Sequence, residues 1–166
     1  MSAGITIRQL TNEYCKQITD LILHIQQVEF NVPIKLEDQP DLLDIETNYL
    51  QDGGGFWGAF HNGELVGTIA LLHIGQHAGA IRKMFVKQAF RGKELGIAQQ
   101  LFDTLLEDCK HKAITDVYLG TVDILKAAHR FYERNGFVRE PKESLPSYFP
   151  FMRPDTVFYH LVVNKS

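Results

Sequence analysis

The chain has 166 residues, 45% of them hydrophobic and 22% charged, with a formal net charge of -3. That is enough chain for one core-burying domain, and it is too hydrophobic and too nearly neutral for a disordered segment. The balance is also wrong for a nucleic-acid partner, whose electrostatic footprint is basic.

The remaining exclusions are local. No apolar run approaches the length of a membrane span, and the first ten residues lack the basic-then-apolar order of a secretory signal, so the expectation is a soluble, cytoplasmic protein. Two cysteines, Cys15 and Cys109, cannot build a disulfide framework and lie too far apart for a metal knuckle. His73-x-x-x-His77 would suit a metal only on a helix, where Gly75 and Gly79 point to a turn, so no metal is expected. Charge is uneven: residues 1–83 carry 5 Lys and Arg against 10 Asp and Glu, and residues 84–166 carry 12 against 10. The acidic first half favours a cationic partner by steering.

Ile5 to Leu10 alternates apolar and polar, the period of a half-buried strand. Thr11 or Asn12 then caps a helix whose apolar stripe is Ile18, Leu21, Ile22, Ile25 and Val28. A break with two prolines leads to a second short helix over Asp41 to Leu50, ended by Gly53-Gly54-Gly55. Phe56 to Phe60 and Leu65 to Leu72 are strands, and Asn62-Gly63 between them supplies the two positive-φ residues of a tight hairpin. Gly75 to Gly79 is a turn, and Ala80 to Val86 is a third strand.

A glycine-containing stretch, Arg91-Gly92-Lys93-Glu94-Leu95-Gly96-Ile97-Ala98, then opens a long helix with the stripe Leu95, Ala98, Leu101, Phe102, Leu105 and Cys109. Asp116 to Leu119 is a strand. Asp123 caps a helix through Ala128, Phe131 and Tyr132, and Asn135-Gly136 stops it. Phe137 to Arg139 and Thr156 to Val163 are the last strands, separated by a proline- and aromatic-rich loop. The predicted order is β-α-α-β-β-β-α-β-α-β-β. This is an α/β fold of the α+β type: a mixed, mostly antiparallel sheet with helices on both faces, in a single domain over 1–166.

The passage from strand through glycine loop into helix is the most informative segment. Amides at a helix start lack intrahelical partners, and with the helix dipole they attract an anion. Gly92 and Gly96 let the backbone approach a diphosphate, and Arg91 and Lys93 add charge. The alternative is a tight turn carrying surface basic residues. No Ser or Thr follows a Gly-Lys pair and G-x-G-x-x-G is absent, so this is neither a Walker loop nor a dinucleotide fingerprint.

Met84-Phe85-Val86 leading into Phe90-Arg91-Gly92-Lys93 and Gly96-Ile97-Ala98 resembles the pyrophosphate loop of the GCN5-related N-acetyltransferases (GNAT). Ala128-His129-Arg130-Phe131-Tyr132-Glu133-Arg134-Asn135-Gly136-Phe137 resembles that family's second signature, A-x-x-x-Y-E-x-x-G-F. The resemblance implies acetyl-coenzyme A as cofactor and direct transfer of its acetyl group to a primary amine of a small molecule or peptide. It implies that Met84, Phe85 and Val86 pair with the pantetheine arm and that Arg91, Gly92, Lys93, Glu94, Leu95, Gly96, Ile97 and Ala98 hold the pyrophosphate. Leu125, Ala128 and Phe131 would flank the coenzyme, and Tyr132 would be the general acid.

Three positions depart from the pattern: Glu94 replaces a glycine, Leu125 a frequent asparagine, and Ala80 the strand glutamate that helps deprotonate the amine. They favour, to that extent, the rival reading of a coenzyme A-binding sensor that transfers nothing. The base stays open among His73, His77, Glu29 and a chain of waters. Phe30, Asn31, Trp57 and Phe149 are candidates for the acceptor pocket. The loop around Phe149 has two further readings, a cover for the sheet edge or a homodimer contact.

Overall fold

The computed structural model describes residues 4–92, 94–152 and 155–163. A seven-stranded sheet runs in the order β1-β2-β3-β4-β5-β7-β6. Its strands are β1 (Ile5–Gln9), β2 (Gly55–His61), β3 (Glu64–Gly75), β4 (Ala78–Val86), β5 (Asp116–Thr121), β6 (Val138–Glu140) and β7 (Val157–Val162), and its α-helices are α1 (Cys15–Leu23), α2 (Ile97–His111) and α3 (Lys126–Arg134). Only β4 and β5 pair in parallel among the registers observed. The chain forms two compact units, Met1–Leu72 with Arg82–Glu107 and His73–Ile81 with Asp108–Ser166. Among the described residues no helix is long and apolar enough to cross a membrane.

In the first unit the hairpin turn is as expected, with φ 51° at Asn62 and 83° at Gly63. The register of β2 on β3 then slips: Ala59 faces Gly67 but Phe60 faces Leu65, leaving Val66 as an extra residue. A bulge of this kind exchanges the faces to which side chains point. Leu65 and Ala70 join the core under α1, made of Leu10, Ile18, Leu21, Ile22, Ile25, Phe56 and Phe60. Gly67 turns the other way, toward Ile97 and Leu101 of α2. One strand thus serves two apolar layers.

The first helix departs from expectation. Asn12 does not cap it: its side chain donates to Asp44 and accepts from the Glu46 amide, and α1 begins only at Cys15 after a 3₁₀ turn. From His24 to Glu29 the helix widens to a π form, with the Phe30 amide donating to the Ile25 carbonyl. The extra residue per turn rotates Val28 off the stripe, so it is 69% exposed while Ile25 is buried.

The expected second helix is a 3₁₀ turn, Pro40–Leu43, followed by a π turn, Glu46–Leu50. Proline at its start and the Asp44 side chain, which accepts from the Thr47 amide, interrupt a continuous α-helix. The turn after β3 is shorter than expected, with positive φ at Gly75, Gln76 and His77, so β4 begins at Ala78.

In the second unit β5 lies between β4 and β7. Leu125, not Asp123, occupies the cap position of α3, and the Asp123 carboxylate instead accepts from the Lys126 ammonium. Gly136 (φ 93°) ends that helix as expected.

Gly54 closes the segment before β2 against the sheet. A Cβ there would stand 2.0 Å from the Leu71 carbonyl oxygen and 3.0 Å from that of Tyr49, both backbone atoms that cannot step aside. Gly54→Ala should therefore cost roughly 2–3 kcal/mol or more, read as a lowered urea midpoint; an unchanged midpoint would contradict this packing.

Candidate active site

β4 leaves the sheet at Val86, passes a 3₁₀ turn at Gln88–Phe90 and enters the glycine stretch before α2. Gly92 has φ 119° and Gly96 φ 60°, conformations that favour glycine. The Gly96 amide donates to the Gly92 carbonyl at 3.2 Å, and the Gly96 carbonyl accepts from Gln100, starting the helix. A Cβ at Gly92 would meet no atom within 4 Å, so the outside of the loop is open. Glu94 is exposed, as a loop receiving an anion requires of a carboxylate. Lys93 lies outside the described residues. A 15-residue helix beginning at such a loop fits a diphosphate.

Arg91 is engaged elsewhere than expected. Its Nε donates to the Val86 carbonyl at 2.8 Å, and its two terminal nitrogens both donate to the Glu29 carboxylate, one at 2.6 Å. Its guanidinium also lies 5.7 Å from the centroid of the Phe30 ring. One guanidinium thus joins the end of the first helical segment to the loop. It holds Glu29, one of the base candidates, in an ion pair.

Of the expected acceptor residues, Phe30 is partly exposed beneath Arg91, and Asn31 is exposed with φ 54°. Trp57 is 5% exposed, and its ring occupies the space that a Cβ on Gly55 would need. Phe149 is likewise buried, edge-on to Tyr118, Phe151 and Phe158. Both aromatics pack as core.

In β4, Met84, Phe85 and Val86 are half-buried. In α3, Leu125 and Ala128 are half-buried, while Phe131 and Tyr132 are buried. The Tyr132 ring packs against Phe131, Phe137 and Tyr159 at 5.7–6.0 Å. Burial, with the charge of Asp155 and the neighbouring Tyr159, pushes its phenol well above the usual tyrosine range. The group stays protonated and can serve as a hydrogen-bond donor. His129, also buried, places Nε2 3.0 Å from the Val122 carbonyl oxygen. The Cys109 thiol is pushed up to about 12 by burial and by Asp108, which rules it out as a thiolate nucleophile near neutral pH.

A group that motif reasoning missed lies in the first unit beside the glycine loop's strand. Lys83, in mid-β4, has φ 54° and a side chain only 8% exposed. Its Nζ donates to Gln39 Oε1 at 2.7 Å and stands 3.5 Å from Asp41 Oδ2. Tyr49 donates to the same Asp41 oxygen at 2.5 Å, and Gln39 exchanges hydrogen bonds with Gln26. The available signal was a basic pair, Arg82-Lys83, within a strand otherwise apolar.

Comparison with known proteins bears on the same residues. The model of the Acetyltransferase (GNAT) family matches residues 19–137. A crystal structure of a GNAT-family acetyltransferase from Staphylococcus aureus Mu50 is similar over 96% of this chain and 99% of that one, at 39% identity and TM-score 0.92. Among curated sequences, N-acetylaspartate synthetase of Danio rerio is 37% identical over 101 residues, 60% of this chain and 35% of that protein. Probable N-acetyltransferase camello of Xenopus tropicalis is 30% identical over 127 residues, 76% and 58% respectively. The chain therefore spans about a third to just over half the length of these curated relatives.

The Glu29–Arg91 pair is partly exposed, so its worth is bounded. A double-mutant cycle with Glu29→Gln and Arg91→Gln should give a stabilising coupling of no more than about 1 kcal/mol, smaller at high salt. No coupling at low salt would contradict the bidentate geometry.

Proposed function

Because the chain belongs to the GNAT acetyltransferase family, we propose that it transfers the acetyl group of acetyl-coenzyme A directly to a primary amine on a small molecule or peptide. The observation that carries this reading is the loop from β4 into α2, where two glycines at positive φ, the first exposed with open space around it, lead into a long helix. The bound coenzyme would supply the acetyl group as an activated thioester.

The residues have separate tasks. The backbone of Gly92 to Ala98 holds the diphosphate, and the amides and carbonyls of Met84 to Val86 receive the pantetheine arm as an added strand. Leu125, Ala128 and Phe131 provide the apolar contact along the coenzyme, with leucine at the first position trading a polar contact for an apolar one. An amide near Phe85 stabilises the oxygen on which charge develops.

Tyr132 serves the departing sulfur. A free thiol ionises near 8.5, and the Tyr132 phenol is held above the ordinary tyrosine range. Complete proton transfer from phenol to thiolate therefore runs uphill. The phenol acts by donating a short hydrogen bond to the developing thiolate, whose final proton comes from solvent. No cysteine takes part: Cys109 is buried as a thiol, and Cys15 donates weakly to Asn12 at the start of α1.

Incubation with acetyl-coenzyme A and a pooled amine library should release free thiol. Tyr132→Phe should lower turnover at least tenfold while coenzyme affinity persists. Coenzyme binding without thiol release from any amine would replace this reading with that of a sensor module, and full turnover in Tyr132→Phe would remove the phenol from the reaction.

A further inference from the structure

An alkyl ammonium ionises near 10.4, so freeing its lone pair at pH 7 costs on the order of 4–5 kcal/mol. The reaction proposed above therefore needs a receiver for that proton. Of the base candidates, Glu29 is tied to Arg91, while His73, at the end of β3, and His77, in the turn before β4, belong to the second unit. His129 faces the Val122 carbonyl, and Ala80 offers no side-chain base. Lys83 stands apart from these. We propose that Lys83 takes the proton from the acceptor's ammonium group, directly or through one water, before the amine attacks; this rests on the acetyl-transfer reading.

Geometry is the first support. A lysine with φ 54° in the middle of a strand occupies a conformation that costs an L-residue roughly 1–2 kcal/mol. Such outliers persist only where surrounding contacts enforce them, and they cluster at functional sites. Here the Thr68 hydroxyl donates to the Lys83 carbonyl at 2.7 Å and holds the kink. Lys83 also directly precedes Met84, the first residue of the segment assigned to the pantetheine arm, which keeps its amine on the strand that presents the thioester.

The surroundings of Nζ are the second support. An ammonium carries three donor hydrogens, and two acceptors stand near: Gln39 Oε1 at 2.7 Å and Asp41 Oδ2 at 3.5 Å. The closer one is neutral. The charged one is an ion-pair partner at 3.5 Å, whose charge and hydrogen bond favour the ammonium, and its oxygen also receives the Tyr49 hydroxyl at 2.5 Å. Gln26 adds an amide, and Arg82, beside Lys83 in β4, adds a positive charge. Burial opposes the ammonium most strongly, Asp41 partly restores it and Arg82 opposes it again; together they pull Lys83 below the usual lysine range. Burial also keeps the Tyr49 phenol protonated, so it adds no charge.

The proton and electron balance is simple. Neutral Lys83 accepts H⁺ from the acceptor's ammonium and becomes an ammonium. The freed nitrogen pair forms the bond to the acyl carbon as the carbon–sulfur bond breaks, and sulfur leaves with that bond's electrons. The nitrogen's second proton and the Lys83 proton pass to solvent, and the thiolate takes one back.

The test has two independent readouts. In the full chain labelled with ¹³C and ¹⁵N lysine, the Lys83 Cε and Nζ signals should titrate below the range of the other lysines. In kinetics, Lys83→Met should lower kcat at least about 100-fold with coenzyme affinity unchanged. Lys83→Arg, which keeps charge and donors but cannot deprotonate, should be equally inactive, and trimethylamine should partly restore Lys83→Ala. Because the working form is neutral, kcat/KM rises with pH through the Lys83 pKa. Asp41→Asn removes a group that favours the ammonium, so that limb should move to lower pH.

Ordinary lysine titration of Lys83, or an active Lys83→Arg variant, in a protein that does release thiol overturns this role alone. Failure of the wild-type protein to release thiol from any amine overturns the acetyl-transfer reading and the role with it.

Discussion

Bringing an ammonium out of water costs several kcal/mol unless partners replace the lost hydration, and Lys83 imposes that requirement on the first unit. Its Nζ reaches Gln39 and Asp41, at the head of the 3₁₀ turn, while Tyr49 in the following π turn holds Asp41 and Gln26 in the π segment after α1 holds Gln39. Three short, irregular elements are thereby fixed to one strand position. None of them has the length or regularity to be stable by itself. Their unusual hydrogen bonding, two π turns and a 3₁₀ turn, follows from being shaped to polar partners as well as to the apolar stripe of α1.

Two neighbouring strands, β3 and β4, each carry one irregularity. The bulge at Val66 in β3 exchanges faces so that Leu65 and Ala70 meet α1 while Gly67 admits α2. The kink at Lys83 in β4 is tied to β3 through Thr68, one residue beyond Gly67. The Lys87 amide donates to the carbonyl of the bulged Val66. The two irregularities therefore share a ladder, and the exit of β4 toward the glycine loop is set by the bulge in its neighbour. A regular pair of strands would leave neither the Lys83 amine turned among the short elements nor the loop positioned by Val66.

Local features were legible in the sequence. Asn62-Gly63 and Gly136 stand where the pattern puts them. The α2 stripe is buried at Leu101, Phe102, Leu105 and Cys109, whereas Leu95 falls before the helix, Ala98 is half-buried and Ile97, outside the expected stripe, is buried. The glycine loop and the Tyr132 signature, which carried the family resemblance, are likewise short and contiguous. What escaped depends on distant partners. Arg91 read as a phosphate ligand from its neighbours, yet its carboxylate partner is 62 residues upstream. Lys83 drew no reading from the sequence, because its partner Gln39 is 44 residues upstream. Trp57 read as a pocket aromatic because a ring with a polar tip suits a small amine, and only the space left by Gly55 shows that the ring is packed inside. Periodicity reports which face a residue occupies and says nothing of what crosses to meet it.

Burial acts in opposite directions on acids and bases, and this protein contains both outcomes. It raises the Tyr132 phenol and the Cys109 thiol, and it lowers the Lys83 ammonium. In each case burial shifts the balance toward the neutral form. A neutral phenol is a donor, a neutral amine is an acceptor, and a neutral buried thiol is inert as a nucleophile. Those are the three properties that a direct transfer from thioester to amine asks of its surroundings: something to support the sulfur, something to receive the proton, and no competing nucleophile. A covalent route through cysteine would need the reverse, a thiol lowered by a neighbouring cation, and Cys109 has Asp108 beside it in the chain and a pKa displaced upward.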